Sequence, residues 1–284
     1  MKFNTVLTTA LLAGAAVAAP LTEKRAARQR ARMNRRSSNR SSNPPFKPGT
    51  SEVLKLTKDT SVEYSENWAG AVLIGTGYNS VTAEFTVPTP SAPSSSSSGS
   101  SGGRGGGGSS SSSDEEYCAS AWVGIDGDTC DTAILQTGVD FCVQGSSVSF
   151  DAWYEWYPDY AYDFDLTISA GDVVKVTVDA TSDTAGTATV ENVSTGESVT
   201  HTFSGETDGS LCEYNAEWIV EDFEEGDSLV AFADFGTVTF SSASAGTTSG
   251  DTVGPADATL IDIEQDSVLT SVSVTDDSVT VTYV

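Results

Sequence analysis

The sequence predicts an all-β protein, a sandwich of two antiparallel sheets of the lectin-like jelly-roll kind. Three observations lead there. The chain beyond residue 58 is rich in Val, Thr, Ser, Gly and aromatic residues and poor in Leu, Lys and Met, a composition that favours strands. Apolar and polar residues alternate in many short segments, and no helical apolar repeat stands out. Turn sequences such as Ile125-Asp-Gly-Asp128, Ser194-Thr-Gly-Glu197 and Thr275-Asp-Asp-Ser278 separate those segments at short spacing.

In chain order, alternation places the first strands at Ala71–Ile74, Ser80–Val87, Ala119–Ile125, Thr132–Asp140 and Ser147–Tyr157. The next group is Asp172–Thr181, Thr187–Val193, Ser198–Phe203, Glu213–Glu221 and Leu229–Asp234. The last is Thr237–Ser241, Thr259–Ile263, Val268–Val274 and Ser278–Tyr283. Ser91–Ser113, nearly all Ser and Gly with Arg104 alone in its middle, reads as a flexible, protease-accessible loop inside one domain.

Charge divides the chain. Twelve of its 14 Lys and Arg lie in the first 58 residues. The remaining 226 residues hold two cations, Arg104 and Lys175, against 38 acids, a net −36. Residues 1–18 have the form of a secretory signal: Lys2, an apolar run, and Ala16-Val-Ala18 as the cleavage site. No stretch is long enough to span a bilayer, so an exported, soluble product is expected, with no membrane partner. Residues 19–59, with Lys24-Arg25, Arg35-Arg36 and a proline-rich stretch, read as a basic propeptide that cannot fold alone. Export argues against a nucleic-acid-binding arm. Residues 60–284 form the domain. Near neutral pH the propeptide cations are expected to hold it on the acidic body; acid, or high salt, is expected to loosen it.

Four cysteines in an exported chain, Cys118, Cys130, Cys142 and Cys212, imply two disulfides, and their spacing leaves three pairings open. There is no C-x-x-C pair, and the single histidine, His201, is placed on the surface, so a zinc site is not expected. Asp126-Gly-Asp128 resembles the opening of a calcium loop but lacks the later glutamate, and a hairpin turn is the better reading. No cofactor is implied. Asn192-Val-Ser194 is a glycosylation sequon; Asn39-Arg-Ser41 is another, inside the presumed propeptide.

No G-x-S-x-G elbow, Walker loop or dinucleotide fingerprint is present, which leaves carboxylates, amides and water to do any chemistry. Gln136 sits inside the apolar run Thr132–Gly138, and a buried glutamine needs partners for its donors and its acceptor. Alternation in Asn215–Asp222 puts Glu217, Ile219 and Glu221 on one face. A carboxylate on the inner face of a concave sheet would have a perturbed pKa, although spacing alone favours solvent-facing acids. Trp153, Glu155 and Tyr157 share a face suited to an extended ligand or to half a core. A noncatalytic carbohydrate-binding sandwich, or a glycoside hydrolase using acids such as Glu155 and Glu221, remains open from these residues.

Five blocks carry a resemblance: Asn67-Trp-Ala-Gly-Ala-Val-Leu73, Ala121-Trp-Val-Gly-Ile-Asp-Gly-Asp-Thr-Cys130, Thr132-Ala-Ile-Leu-Gln-Thr-Gly138, Asp151-Ala-Trp-Tyr-Glu-Trp-Tyr-Pro158 and Asn215-Ala-Glu-Trp-Ile-Val-Glu-Asp222. In this order they resemble the eqolisins, the fungal glutamic peptidases, from about Tyr64 to the C-terminus. The resemblance implies two seven-stranded sheets and acid endopeptidase activity on proteins and peptides. It assigns a catalytic glutamine and glutamate to Gln136 and Glu221, and substrate-groove roles to Asn67, Trp68, Trp122, Asp126, Trp153 and Glu155. It pairs Cys130 with Cys212 and so Cys118 with Cys142. It also implies an inhibitory propeptide and excision of the 91–113 loop to leave noncovalent light and heavy chains, although the loop here has no basic pair.

Overall fold

The computed structural model describes residues 40–57, 62–94, 115–206 and 208–284. The signal, most of the basic leader and the Ser/Gly-rich stretch beyond Ser94 lie outside the described residues. Two antiparallel sheets pack face to face, as the strand pattern predicts. One follows the order Glu197–Ser204, Ala185–Asn192, Val173–Ser182, Tyr78–Thr86, Thr237–Thr247, Val279–Tyr283, Thr270–Val274, with Thr252–Val253 paired beside it. The other runs Val62–Ser65, Thr259–Ile263, Trp68–Ile74, Asn215–Glu221, Glu116–Ile125, Ile134–Gln144, Ser147–Tyr157, Tyr162–Asp163, with Ala231–Phe232 added parallel to Glu116–Ile125.

The predicted strands are present, with shifted ends. Leu229–Asp234 is broken into Ser228–Leu229 and Ala231–Phe232, which pair with different neighbours. Thr237–Thr247 runs six residues past its predicted end, through a register shift between Ser241 and Ser244. His201 is half-buried rather than a surface residue: its ring stacks on Tyr154 with centroids 4.0 Å apart, and burial lowers its pKa. Both implied disulfides are formed, Cys118–Cys142 and Cys130–Cys212.

Alternation explains the core. The first sheet contributes Val81, Ala83 and Phe85, Val174, Val176 and Val178, and Val238 and Phe240. Facing them are Ala69 and Ala71, Ala121 and Val123, Leu135 and Val139, and Ala216, Trp218 and Val220 from the second sheet. Asn215–Glu221 is nevertheless buried at every position. Its core face is covered by the first sheet. Its opposite face is covered by residues 40–57, which cross the concave side of the second sheet.

The chain on either side of residues 95–114 contributes to both sheets. Tyr78–Thr86 lies between Val173–Ser182 and Thr237–Thr247. Trp68–Ile74 lies between Asn215–Glu221 and Thr259–Ile263. These shared ladders hold the two pieces together, because both disulfides lie wholly within residues 118–212.

Candidate active site

The concave face of the second sheet is built in rows by the strand register. Glu217 stands opposite Gly124, Gly124 opposite Gln136, and Gln136 opposite Glu155. The next row is Ile219, Trp122, Gly138, Trp153. The third is Glu221, Ser120, Asp140, Asp151. Side chains two residues apart on a strand share a face, so one surface carries the acids, the glutamine and two tryptophans. Gly138 leaves room between Trp122 and Trp153; a Cβ there would lie 2.5 Å from the Trp122 Cβ.

An apolar floor supports the rows. Trp68, Val72, Trp122, Ile134, Trp153, Ile219 and Ile261 pack together, with Leu56 from the crossing segment closing over them. Trp68 and Trp122 meet edge to face at 5.0 Å. Trp122 Nε1 donates to Glu221 Oε2 at 2.9 Å, and Trp153 Nε1 to Ser120 Oγ at 3.1 Å.

The crossing segment is held by its backbone and by one cation. Ser42 N donates to both Glu155 oxygens at 3.3 and 3.2 Å, and Asn43 N to Glu221 Oε1 at 3.1 Å. Asn67 accepts Phe46 N at 2.8 Å and donates to Pro44 O at 3.3 Å. Leu56 N donates to Asp128 Oδ1 at 2.8 Å. Arg40 is 1% exposed and forks onto Asp140, Nε to Oδ2 at 2.7 Å and Nη2 to Oδ1 at 2.9 Å. Its Nη1 reaches Glu155 at 3.4 Å, and its guanidinium lies 3.9 Å from the Trp153 ring and 4.6 Å from that of Phe223. This is a charge-assisted bidentate pair with two aromatic rings beside it.

The structure therefore gathers Asn67, Trp68, Trp122, Trp153, Glu155, Gln136 and Glu221 on one face. Gln136 and Glu221 do not touch; the Trp122 row separates them. Glu221 has Trp122 and the peptide N–H of Asn43 as partners, rather than the glutamine. Asp126 lies beside the Glu217 row, with its carboxylate turned to main chain. Its carboxylate accepts the backbone N–H groups of Cys212, Glu213, Tyr214 and Asn215 at 2.6 to 3.1 Å, at a left-handed φ of 66°. Four main-chain donors occupy its acceptor sites, so Asp126 ties the 205–215 loop to the 125–130 turn.

Asn192 is also placed differently from the sequon reading. It is fully buried, and its Nδ2 donates to Thr167 O at 3.1 Å and Asp172 Oδ2 at 2.9 Å, which leaves a glycan no room in the folded chain. Two metal-like groupings, Glu116-Cys118-Cys142 and Asp126-Cys130-Cys212, rest on cysteines already joined in disulfides.

Sequence reasoning missed Ser120 and Asp140, although alternation from Trp122 and from Gln136 puts both on the groove face. It also missed Asp128. Arg40 carried no local signal, because its acidic partners Asp140 and Glu155 lie 100 or more residues away.

Burial dominates the electrostatics. Desolvation pushes Glu221 up to about 7, against the opposing pull of Arg40 and of hydrogen bonds from Ser42, Asn43 and Trp122. Burial, opposed by Arg40, holds Glu155 well above the ordinary carboxylate range. Glu217 and Asp222 are raised well above it, mainly by burial and then, for Glu217, by Asp128. Each of these groups keeps its proton in the folded chain at pH values where the unfolded chain has lost it. The folded state then binds more protons, and stability falls as pH rises from about 4.5 towards 7. Glu221 alone contributes roughly 3 kcal/mol to that fall. Thermal unfolding of the intact chain is predicted to occur several degrees higher at pH 4.5 than at pH 7.5; an equal or higher melting temperature at pH 7.5 contradicts the burial of these acids.

Comparison with known proteins identifies the family of the chain. The family model of the peptidase A4 family matches residues 66–283. Aspergillopepsin-2 from Aspergillus niger is 68% identical over 287 aligned positions, covering all of both chains. Scytalidopepsin B from Scytalidium lignicola is 43% identical over 80% of this chain and 78% of its own. Among solved structures, scytalido-glutamic peptidase with a transition-state analogue inhibitor superposes with a TM-score of 0.65 over 77% of this chain and 98% of its own, at 43% identity. Aspergilloglutamic peptidase from Aspergillus niger gives 0.58 over 59% of this chain and 99% of its own, at 75% identity. With its acids, glutamine and tryptophans on one sheet face, the chain belongs to the peptidase A4, or eqolisin, family and is a glutamic endopeptidase.

Proposed function

We propose that the protein is an exported, acid-active peptidase made as a zymogen, with Glu221 and Gln136 as its catalytic residues and residues 40–57 as its internal plug. The observation that carries this reading is the way the groove holds backbone. Three side chains, Glu155, Glu221 and Asn67, hydrogen-bond main-chain atoms of Ser42, Asn43, Pro44 and Phe46. A groove that reads peptide backbone fits a polypeptide substrate better than a sugar.

Glu221 as general base takes a proton from water while the water oxygen bonds to the scissile carbonyl carbon. Gln136 Nε2 donates to the oxyanion that forms on the carbonyl oxygen. Glu221 then gives its proton to the leaving nitrogen, the C–N bond breaks, and the carboxylate is restored. With the plug bound, Asn43 N–H occupies the carboxyl that a water must reach, and Pro44 and Pro45 offer no N–H in the next two positions. Departure of the plug admits water, relieves the desolvation that dominates at Glu221, and lowers its pKa towards the acid working range.

Plug affinity follows pH. Arg40 favours the ionised forms of Glu155 and Glu221, but the burial that accompanies the bound plug outweighs it and raises both. Protonation of these two acids therefore favours the bound plug, and their share of its affinity is lost as pH rises towards about 7 at Glu221, so release in acid rests on cleavage of the segment rather than on their titration. Salt acts on a different part. Exposed cations of the leader are screened, but Arg40 is buried and scarcely so. Export, and a cut within 95–114 that leaves two interleaved chains, complete the proposed maturation.

Two experiments test this reading. In purified, acid-activated enzyme, Glu221→Gln and Gln136→Ala each reduce kcat on a denatured protein by about 100-fold or more with the fold retained. Near-native turnover by either variant removes that residue from the dyad. A synthetic peptide spanning residues 24–58 inhibits the activated enzyme near neutral pH, in high salt as well as low. Arg40→Ala in that peptide raises the inhibition constant about 100-fold, the cost of breaking a buried ion pair. Equal inhibition by the two peptides shows that Arg40 is not the anchor.

A further inference from the structure

Glu217 is the buried acid that the reaction above leaves unused. It lies four residues before Glu221 on the same strand and face, in the row of Gln136. The residue between them is Gly124. A Cβ at Gly124 would lie 2.9 Å from the Trp122 ring, 3.3 Å from Glu217 Oε2 and 3.4 Å from Gln136 Cβ, so Glu217 and Gln136 flank the same glycine from its two neighbouring strands, with the Trp122 ring beside them. Both residues are fully buried. Both Glu217 oxygens and both Gln136 amide atoms lack a hydrogen-bond partner among the described residues. Leaving such atoms unsatisfied costs about 1–3 kcal/mol each, and each group offers what the other needs.

We propose that Glu217 is a positioning residue for Gln136: its neutral carboxyl donates its proton to Gln136 Oε1, directly or through one water, and so turns Nε2 towards the scissile carbonyl. The proposal rests on Gln136 as the oxyanion donor. A carboxamide has two orientations related by a half-turn, and only one presents N–H to the oxyanion. An ionised Glu217 would accept from Nε2 and leave Oε1 facing the developing negative charge, which it repels. The surroundings keep Glu217 neutral. The charged groups facing it are all acids: Asp126 and Asp128 from the turn after Glu116–Ile125, and Glu221 on its own strand. Its row neighbours Val72, Gly124 and Gln136 carry no charge. In acid the carboxyl is protonated and the glutamine is held in its productive orientation.

The test uses Glu217→Leu and Glu217→Gln in the full chain, activated at acid pH. Leucine removes the donor at similar bulk; kcat falls about 10-fold or more while KM changes less than about twofold. Glutamine keeps an N–H donor at the same reach and does not ionise. It restores kcat to within about threefold of native and carries activity to higher pH than the native enzyme. Glu217→Leu added to Gln136→Ala lowers kcat no further than Gln136→Ala alone, because the two act as a unit. Native kcat in the leucine variant, additive losses in the double variant, or a glutamine variant as inactive as Glu221→Gln each overturn the proposal. If the leucine variant fails to fold, the rate and pH profile of the glutamine variant decide it. Native kcat in Gln136→Ala alone instead overturns the dyad, a separate outcome.

Discussion

Withdrawal of carboxyl groups from water organises this protein. A sandwich needs only one face of each sheet to be dry. Here the second sheet is dry on both, and its outer face carries Glu155, Glu217, Glu221 and Asp140. Isolated buried carboxylates are expensive, so the acids there either keep a proton or share the single guanidinium that reaches them. Glu155 lies beside Arg40, and Glu221 holds an indole N–H and a peptide N–H. Glu217 has neither, and burial holds its pKa well above the ordinary carboxylate range.

The same constraint bears on the proposal that residues 40–57 act both as a piece of the fold and as a plug. Residues 40–57 supply what the groove lacks: a cation for Asp140 and Glu155, backbone donors for Glu155 and Glu221, and Leu56 for the tryptophan floor. Much of what holds Ser42–Phe46 is main-chain hydrogen bonding, the kind an arbitrary polypeptide can reproduce, beside side-chain bonds of Ser42 with Arg40 and of Asn43 with Glu224. Arg40 is the specific contact. On the proposed reading, a groove built this way takes its own leader and a substrate by one geometry.

Much of this was legible in the sequence, because period-two alternation reports faces directly. It put Glu217, Ile219 and Glu221 together and set Gln136 inside an apolar run. What it did not report was cover. Spacing favoured solvent-facing acids in Asn215–Glu221, and only the crossing segment, from more than 150 residues earlier, makes that face dry. The resemblance assigns Asp126 to the groove, yet its carboxylate accepts four peptide N–H groups from residues 86 to 89 positions later. The Asn192 sequon is a local pattern, and burial of the side chain depends on Thr167 and Asp172. In each case a distant segment decides what a local pattern means.

The central claim is that dry cover by residues 40–57 sets the proton affinity of Glu221. A carboxyl-carbon NMR titration of the Gln136→Ala chain, labelled at glutamate and assigned with Glu221→Gln, measures it most directly. With the segment bound, Glu221 is predicted to titrate near 7. After its removal the midpoint is predicted to fall by a unit or more, towards the ordinary glutamate value of about 4.3. An unchanged midpoint, or one already near the ordinary value while the segment is bound, contradicts the account.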